Sequence, residues 1–226
     1  MGPKGEYSMA RLRMRSARRE YIEAIVIALV IAAILRAFVV QAYHIPTESM
    51  ENTLLVGDFL LVDKISYNFN DPKPGDIIVF QYPLNPSKDF VKRCVAVEGQ
   101  VVEMRDKVLY VDGKPEAPVP TALYSDPKII PASLSNRDNF TSLRVPPGCV
   151  FVLGDNRDNS RDSRVWGFLE KQFIRGKALA IYWSWAPDPQ APKWQSPYIW
   201  PTFAIVFYNL AHFPSRIRWE RIGKIL

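Results

Sequence analysis

Cysteine and histidine are nearly missing from this chain, and their scarcity removes whole classes of chemistry. Among 226 residues there are two cysteines, Cys94 and Cys149, and two histidines, His44 and His212. Neither cysteine lies in a C-x-x-C or other metal-type spacing, so zinc-ribbon and thioredoxin-like readings are excluded. Spacing does not decide whether the two thiols pair, because a disulfide depends on Cα separation in the fold. There is no internal repeat and no low-complexity tract. A basic face on the folded body is also lacking. The net charge is +6, yet residues 1–20 hold six Lys/Arg against two Glu, and residues 216–226 hold four against one. The body between is close to neutral, which excludes a nucleic-acid binder and suits chain ends that meet anionic lipid.

What is abundant points to strands and membrane. Nineteen prolines against eleven glycines, with twelve Phe, ten Tyr and six Trp, favour strands and ordered loops over a helical bundle. After Arg11, Arg13, Arg15, Arg18 and Arg19, residues 21–40 are almost all Ile, Val, Ala, Leu and Phe. As a helix this run is about 30 Å long, the hydrocarbon thickness. Glu23 and Arg36 are its only charges and lie near its ends, where Arg snorkels to headgroups. The run predicts a transmembrane anchor over residues 21–42. The basic residues before it put residues 1–20 in the cytoplasm and residues 43–226 outside. A cleaved signal peptide and a buried core helix compete with the anchor. The first has too long an apolar core, and Arg36 interrupts it.

Beyond the anchor the signals are those of short strands. Phe59 to Ile65, Ile77 to Tyr82, Phe90 to Val97, Val101 to Met104, Val108 to Val111, Val150 to Leu153 and Ala178 to Trp185 read as strands separated by turn residues such as Asp71-Pro72-Lys73-Pro74-Gly75-Asp76 and Asp112-Gly113. The expected class is mainly β: an antiparallel β-sheet domain of one or two packed sheets with residues 115–142 as a cap insertion. Residues 187–215 hold an aromatic, Pro-interrupted apolar run. It reads as a membrane-surface flap, as packing on the domain, or as a second crossing. The terminal Ile217–Ile225 stretch alternates in part and reads as a closing strand.

Ser49 follows the anchor directly, which makes it a candidate nucleophile in search of a base. His44 lies five residues away, about 16 Å in an extended chain, and Pro46 opposes a helix that would close the gap. A Ser-His-Asp triad therefore has only His212 to draw on. Lysine is the alternative. At its ordinary pKa only about 1 in 2,500 lysines is neutral at pH 7, so a catalytic lysine must be buried away from acids. Lys92 fits, since alternation gives it Phe90, Cys94 and Ala96 as same-face neighbours. Lys64 and Lys107 sit beside Asp63 and Asp106 and read as solvated strand-end charges.

Three blocks extend this pair into a pattern. They are Ile45-Pro46-Thr47-Glu48-Ser49-Met50 through Gly57-Asp58, Asp89-Phe90-Val91-Lys92-Arg93 followed by Val97-Glu98-Gly99-Gln100, and Gly154-Asp155-Asn156-Arg157-Asp158-Asn159-Ser160-Arg161-Asp162-Ser163-Arg164-Val165-Trp166-Gly167. With them the chain resembles the bacterial type I signal peptidases. The resemblance implies a membrane-bound serine endopeptidase that removes signal peptides from exported precursors and cuts after small residues, with no cofactor. It implies Ser49 as nucleophile, Lys92 as general base, and an oxyanion hole of Thr47 Oγ with the Ser49 N–H. Ser160 would orient Lys92, and Asp162 with Arg164 would support that loop. Ile45, Pro46, Met50, Leu54, Phe90 and Val91 would line the substrate pockets. Expected partners are signal peptides and membrane lipids, near the secretion translocon, at the cell membrane. Glu48 and Asn52 depart from the family's usual Gly and Pro, and residues 187–215 lie outside the common pattern. A metal in the Asp155–Asn159 acidic ladder is not expected, since it lacks the Gly and Glu of a calcium loop. Two rivals remain: a soluble Ser/Lys self-cleaving repressor, against which the anchor argues, and a catalytically silent β-module that scaffolds secretion partners.

Overall fold

The computed structural model describes residues 17–34, 36, 39–116, 119–192 and 200–226. They form two compact units that divide between residues 38 and 39. In the first, helix α1 (Ala17–Ile34) exposes Ile, Leu and Val side chains on all sides. Among the described residues no helix is long and apolar enough to cross a membrane. Leu35, Ala37 and Phe38 of the expected span lie outside the described residues, and the span's last residues belong to a strand instead.

That strand, β1 (Val40–His44), opens the second unit. It pairs antiparallel with β2 (Asp58–Asp63), Val40 opposite Asp63 and His44 opposite Phe59. After the short helix α2 (Ser66–Phe69) come β3 (Ile77–Tyr82), β4 (Asn85–Val97), β5 (Val101–Arg105), β6 (Val108–Val111), β7 (Lys114–Pro115), β8 (Phe140–Arg144) and β9 (Cys149–Leu153). The helix α3 (Ser163–Trp166), β10 (Leu169–Glu170) and β11 (Ile174–Ser184) follow. One sheet has seven strands in the order β1-β2-β11-β3-β4-β9-β10, and the other has four in the order β7-β6-β5-β8. Every pairing within the sheets is antiparallel.

Strand β3 shows how the apolar pattern sets the layers. Its Ile77 and Val79 enter one core with Ile45, Met50, Leu54, Leu60 and Val62. Its Ile78 and Phe80 point to the opposite face and join Cys94, Val150 and Val152. A two-residue period sends successive side chains to opposite faces, so a strand buried on both reads as an unbroken apolar run. A third core, with Val95, Ala96, Val102, Met104, Phe140 and Phe151, joins the two sheets.

One expectation at the C-terminal end, the closing strand over Ile217–Ile225, is corrected. The aromatic run is helical where described: α4 (Trp200–Ala211) and α5 (Phe213–Arg216). Residues 193–199 lie outside the described set. The last stretch is not a strand. It is a 3₁₀ turn (Trp219–Arg221) between isolated bridges of Ile217 to Trp185 and Ile225 to Ala180. The alternation is broken because Arg221 turns inward. Its Nε donates to Asp58 Oδ1 at 3.0 Å and its Nη2 to the Thr53 carbonyl at 3.0 Å. Asp58, fully buried, also accepts from Ser184 Oγ at 2.7 Å.

Removing one partner of a buried ion pair leaves the other charge uncompensated. Arg221→Ala should therefore lower unfolding stability by about 3 kcal/mol in denaturant titration. Arg221→Met with Asp58→Asn should recover part of that loss, because the stranded charge is then gone.

Candidate active site

Ser49 stands in a turn whose apolar neighbours hold it. Ile45, Met50 and Leu54 are buried in one core, and burying each side chain contributes roughly 1.5–3 kcal/mol. Backbone bonds close the turn: Ile45 N–H donates to Asp58 O at 2.8 Å, Leu54 N–H to Met50 O at 2.7 Å and Gly57 N–H to Ile45 O at 2.9 Å. Asn52 has φ +72°, a left-handed value that asparagine tolerates and proline cannot adopt. The turn is therefore built for Asn at this place. From the opposite side Asn156 N–H donates to the Ser49 carbonyl at 3.2 Å. Gly154 makes this approach possible: a Cβ there would lie 2.4 Å from Ser49 O and 2.2 Å from Ser160 Oγ.

Lys92 comes from β4, opposite Ile78 of β3. Its Nζ donates to Ser49 Oγ at 2.6 Å and to the Val91 carbonyl at 2.9 Å, and lies 5.4 Å from the Phe90 ring centre. The residue is only 3% exposed. Burial pushes its pKa down to about 8, while the Asp162 and Asp155 carboxylates pull the other way and Arg164 adds to the lowering. The neutral share at pH 7 thus rises to about one in ten.

Both nearby acids are occupied. Arg93 grips Asp155 through Nε to Oδ1 at 2.8 Å and Nη2 to Oδ2 at 2.6 Å. Arg164 grips Asp162 at 2.8 and 2.7 Å. Burial raises each carboxyl's pKa, but the arginine partners hold both below the ordinary range. Asp162 also caps α3 through the Arg164 N–H at 3.2 Å and accepts from Gly154 N–H at 3.0 Å. That bond ties the 154–164 segment to the glycine that passes Ser49.

A cleft of about 800 Å³ opens beside the pair. Ile45, Pro46, Thr47, Ser49, Met50, Phe90, Val91 and Lys92 all line it.

The family model for signal peptidases, peptidase S26, matches residues 18–183. The chain belongs to the signal peptidase family. A probable signal peptidase I-1 of Synechocystis is 43% identical to it over 168 residues, covering 71% of this chain and 80% of the relative. The signal peptidase I of Aquifex aeolicus is 34% identical across 92% of this chain and 100% of its own length. That of Mycobacterium tuberculosis is 39% identical across 75% of this chain and 74% of its own. The chain is accordingly a peptide-bond hydrolase of the serine class.

Several expected placements change in this peptidase. Leu54 is fully buried in the core beneath Ser49 and does not line the cleft. Among the described residues the Lys92 amine has hydrogen bonds to Ser49 and Val91 and none to Ser160. The Ser160 Oγ is buried, makes no well-formed hydrogen bond among the described residues, and sits beside the Asp162 carboxylate, whose charge it helps to hold. The Val91 carbonyl takes the amine's second contact instead. Ala96 leaves the Lys92 face because the β4–β9 register shifts between Cys94 and Ala96, and a bulge resets alternation. Lys107 is not solvated. Only 12% exposed, it donates to Asp158 Oδ1 at 2.8 Å and to the Asp126 carbonyl at 2.6 Å. Tyr43, Tyr82, Asn159 and Arg161 line the cleft without having been singled out. They come from three segments distant in sequence, Asn159 and Arg161 sharing one, and no spacing signal joins the three.

The pKa of Lys92 falls from 10.5 to about 8 on folding. Between those values the unfolded chain binds more protons, so stability rises with pH there. Below the lower value the folded state carries the whole cost, about 3 kcal/mol. Lys92→Met should be at least as stable as the parent at pH 7 and should lack that alkaline rise. Parallel stability–pH curves for the two proteins would contradict the burial argument.

Proposed function

We propose that the peptidase removes N-terminal signal peptides from precursor proteins by a Ser49/Lys92 dyad. The observation that carries this reading is a dehydrated lysine amine 2.6 Å from a serine hydroxyl at the floor of an apolar cleft. In its neutral form the amine spends one N–H on the Val91 carbonyl, which leaves its lone pair to accept the Ser49 proton. Ser49 Oγ attacks the scissile carbonyl, the amine returns the proton to the leaving nitrogen, and an acyl-enzyme forms. Lys92 then activates the water that releases the signal peptide. The Ser49 N–H and the Thr47 hydroxyl hold the oxyanion. One such donor is worth about 3–4 kcal/mol. Asp162 and Arg164 support the segment that closes on Ser49. Ile45, Pro46, Met50, Phe90 and Val91 receive small side chains before the cut, the substrate adding as a strand beside Phe90 and Val91.

The apolar segment from residue 21 up to the start of β1 serves as a single-pass anchor in this reading, with residues 1–20 cytoplasmic and the domain outside at the cell membrane, near the secretion translocon. The all-round apolar surface of α1 supports it, because such a helix suits lipid. Helix α4 supports contact with lipid as well. Its polar side is tied down, Tyr208 Oη donating to Asp188 at 2.7 Å and Arg216 Nη1 to Asn209 at 2.7 Å. Phe207 and Leu210 are left 74% and 67% exposed. A shared bilayer raises the effective concentration of membrane-borne precursors.

Ser49→Ala and Lys92→Ala should each reduce cleavage of a synthetic precursor by at least about 10³-fold with folding retained. For the parent, kcat/KM should rise with pH and reach half its plateau near 8, because the working form of Lys92 is the neutral one. A near-normal rate in Lys92→Ala would end the mechanism, and a parent that cuts nothing under active conditions would favour the silent scaffold. A fluorophore on Phe207→Cys in reconstituted vesicles should be quenched by spin-labelled acyl chains. Quenching by aqueous iodide alone would place α4 in water.

A further inference from the structure

Two hollows meet at Glu48. Its exposed side chain stands between Thr47 and Ser49, and it alone among the described residues lines both the cleft and a shallower hollow of about 320 Å³ across the Ser49 turn. That second hollow has a fixed wall. A Cβ on Gly57 would fall 1.9 Å from Trp185 O, and Trp185 N–H donates to Gly57 O at 2.9 Å. Arg218, on its far rim, is held by the Val56 and Trp185 carbonyls.

The Phe90 end of the cleft carries Lys88, Asp89 and Arg161. Arg161 lies over the Tyr82 ring at 5.6 Å, and Tyr82 stacks on Phe90 at 4.4 Å. Arg161 therefore belongs to the Phe90 side, which in the reading above receives residues before the cut. On the other side of Ser49 the second hollow carries Glu48, Glu51, which accepts from Asn156 Nδ2 at 3.1 Å, and Arg218, and of these Glu48 is the one that also faces the cleft. The buried acids near Lys92 are paired with Arg93 and Arg164, whereas the Glu48 carboxylate forms no ion pair among the described residues.

We propose that Glu48 is a specificity-determining residue for the portion of the substrate that follows the cut. Resting on the assignment of Ser49 as the cutting residue, this places the first residues of the mature chain past Glu48 and into the second hollow. The carboxylate favours precursors with Lys or Arg among those residues and opposes Asp or Glu there. An exposed ion pair corresponds to about a two- to fivefold effect.

The test uses the full chain in detergent and three soluble precursor peptides that differ only at the second residue after the cut: Lys, Gln or Glu. The expected order of kcat/KM is Lys above Gln above Glu, with a Lys-to-Glu ratio near fivefold at low salt that shrinks toward one in about 0.5 M salt. Glu48→Gln should bring the ratio close to one while still cutting the Gln peptide, and Glu48→Lys should invert it. A ratio unchanged in Glu48→Gln overturns the proposal, as does a parent that prefers the Glu peptide. Loss of the Gln peptide's cleavage in Glu48→Gln also overturns it, by making Glu48 part of the reaction itself. A parent that cuts none of the three overturns the reading of Ser49, and the proposal with it.

Discussion

A lysine amine shut away from water beside a serine hydroxyl is the constraint on which the rest of the second unit depends. Burial of Lys92 lowers the amine's pKa. Alone it would be undone by the two carboxylates nearby, which stabilise the ammonium. Each is instead clamped by an arginine, Asp155 by Arg93 and Asp162 by Arg164. The guanidiniums take up the negative charge in two-point geometry that a lysine could not match. The four ionised groups thus form two nearly self-contained pairs, and the amine between them feels mainly the loss of water.

The same pairs also build the site mechanically. Arg93 follows Lys92 in β4, so its grip on Asp155 holds the 154–164 segment against the strand that carries Lys92. Asp162 accepts from Gly154, and Gly154 leaves just enough room for the Ser49 carbonyl to pass. Beneath Ser49 the core holds the turn through Ile45, Met50 and Leu54. Sheet, turn and loop meet at one point because each is anchored by a different force: ladder hydrogen bonds, apolar burial and buried ion pairs.

Much of this was legible in the sequence, and for definite reasons. The strands around Leu60, Val79 and Val152 stand out because buried strands are apolar and bounded by Pro, Gly and Asp turns. Lys92 stood out by its apolar same-face neighbours Phe90 and Cys94, and the motif blocks that resemble the signal peptidases singled it out as the candidate base. Other features were not. Residues 40–42, which open the strand Val40–His44, looked like the end of an apolar helix, since a two-sided strand and a membrane span share composition. Lys107 looked exposed because its partners, Asp158 and Asp126, lie far along the chain. Leu54 followed the turn's apolar pattern but points to the core rather than the cleft.

The amino-acid order by itself determined which chemistry was open to this protein. With two histidines and no metal spacing, a serine near the apolar segment and a lysine in an apolar strand were what remained. Only the tertiary structure decided how the amine is held. That Val91 rather than Ser160 takes its second contact, and that each acid is matched with its own arginine, depends on distances between groups that lie from one to 62 residues apart in the chain. Local periodicity records which face a side chain takes. It holds no information on which distant group that face will meet.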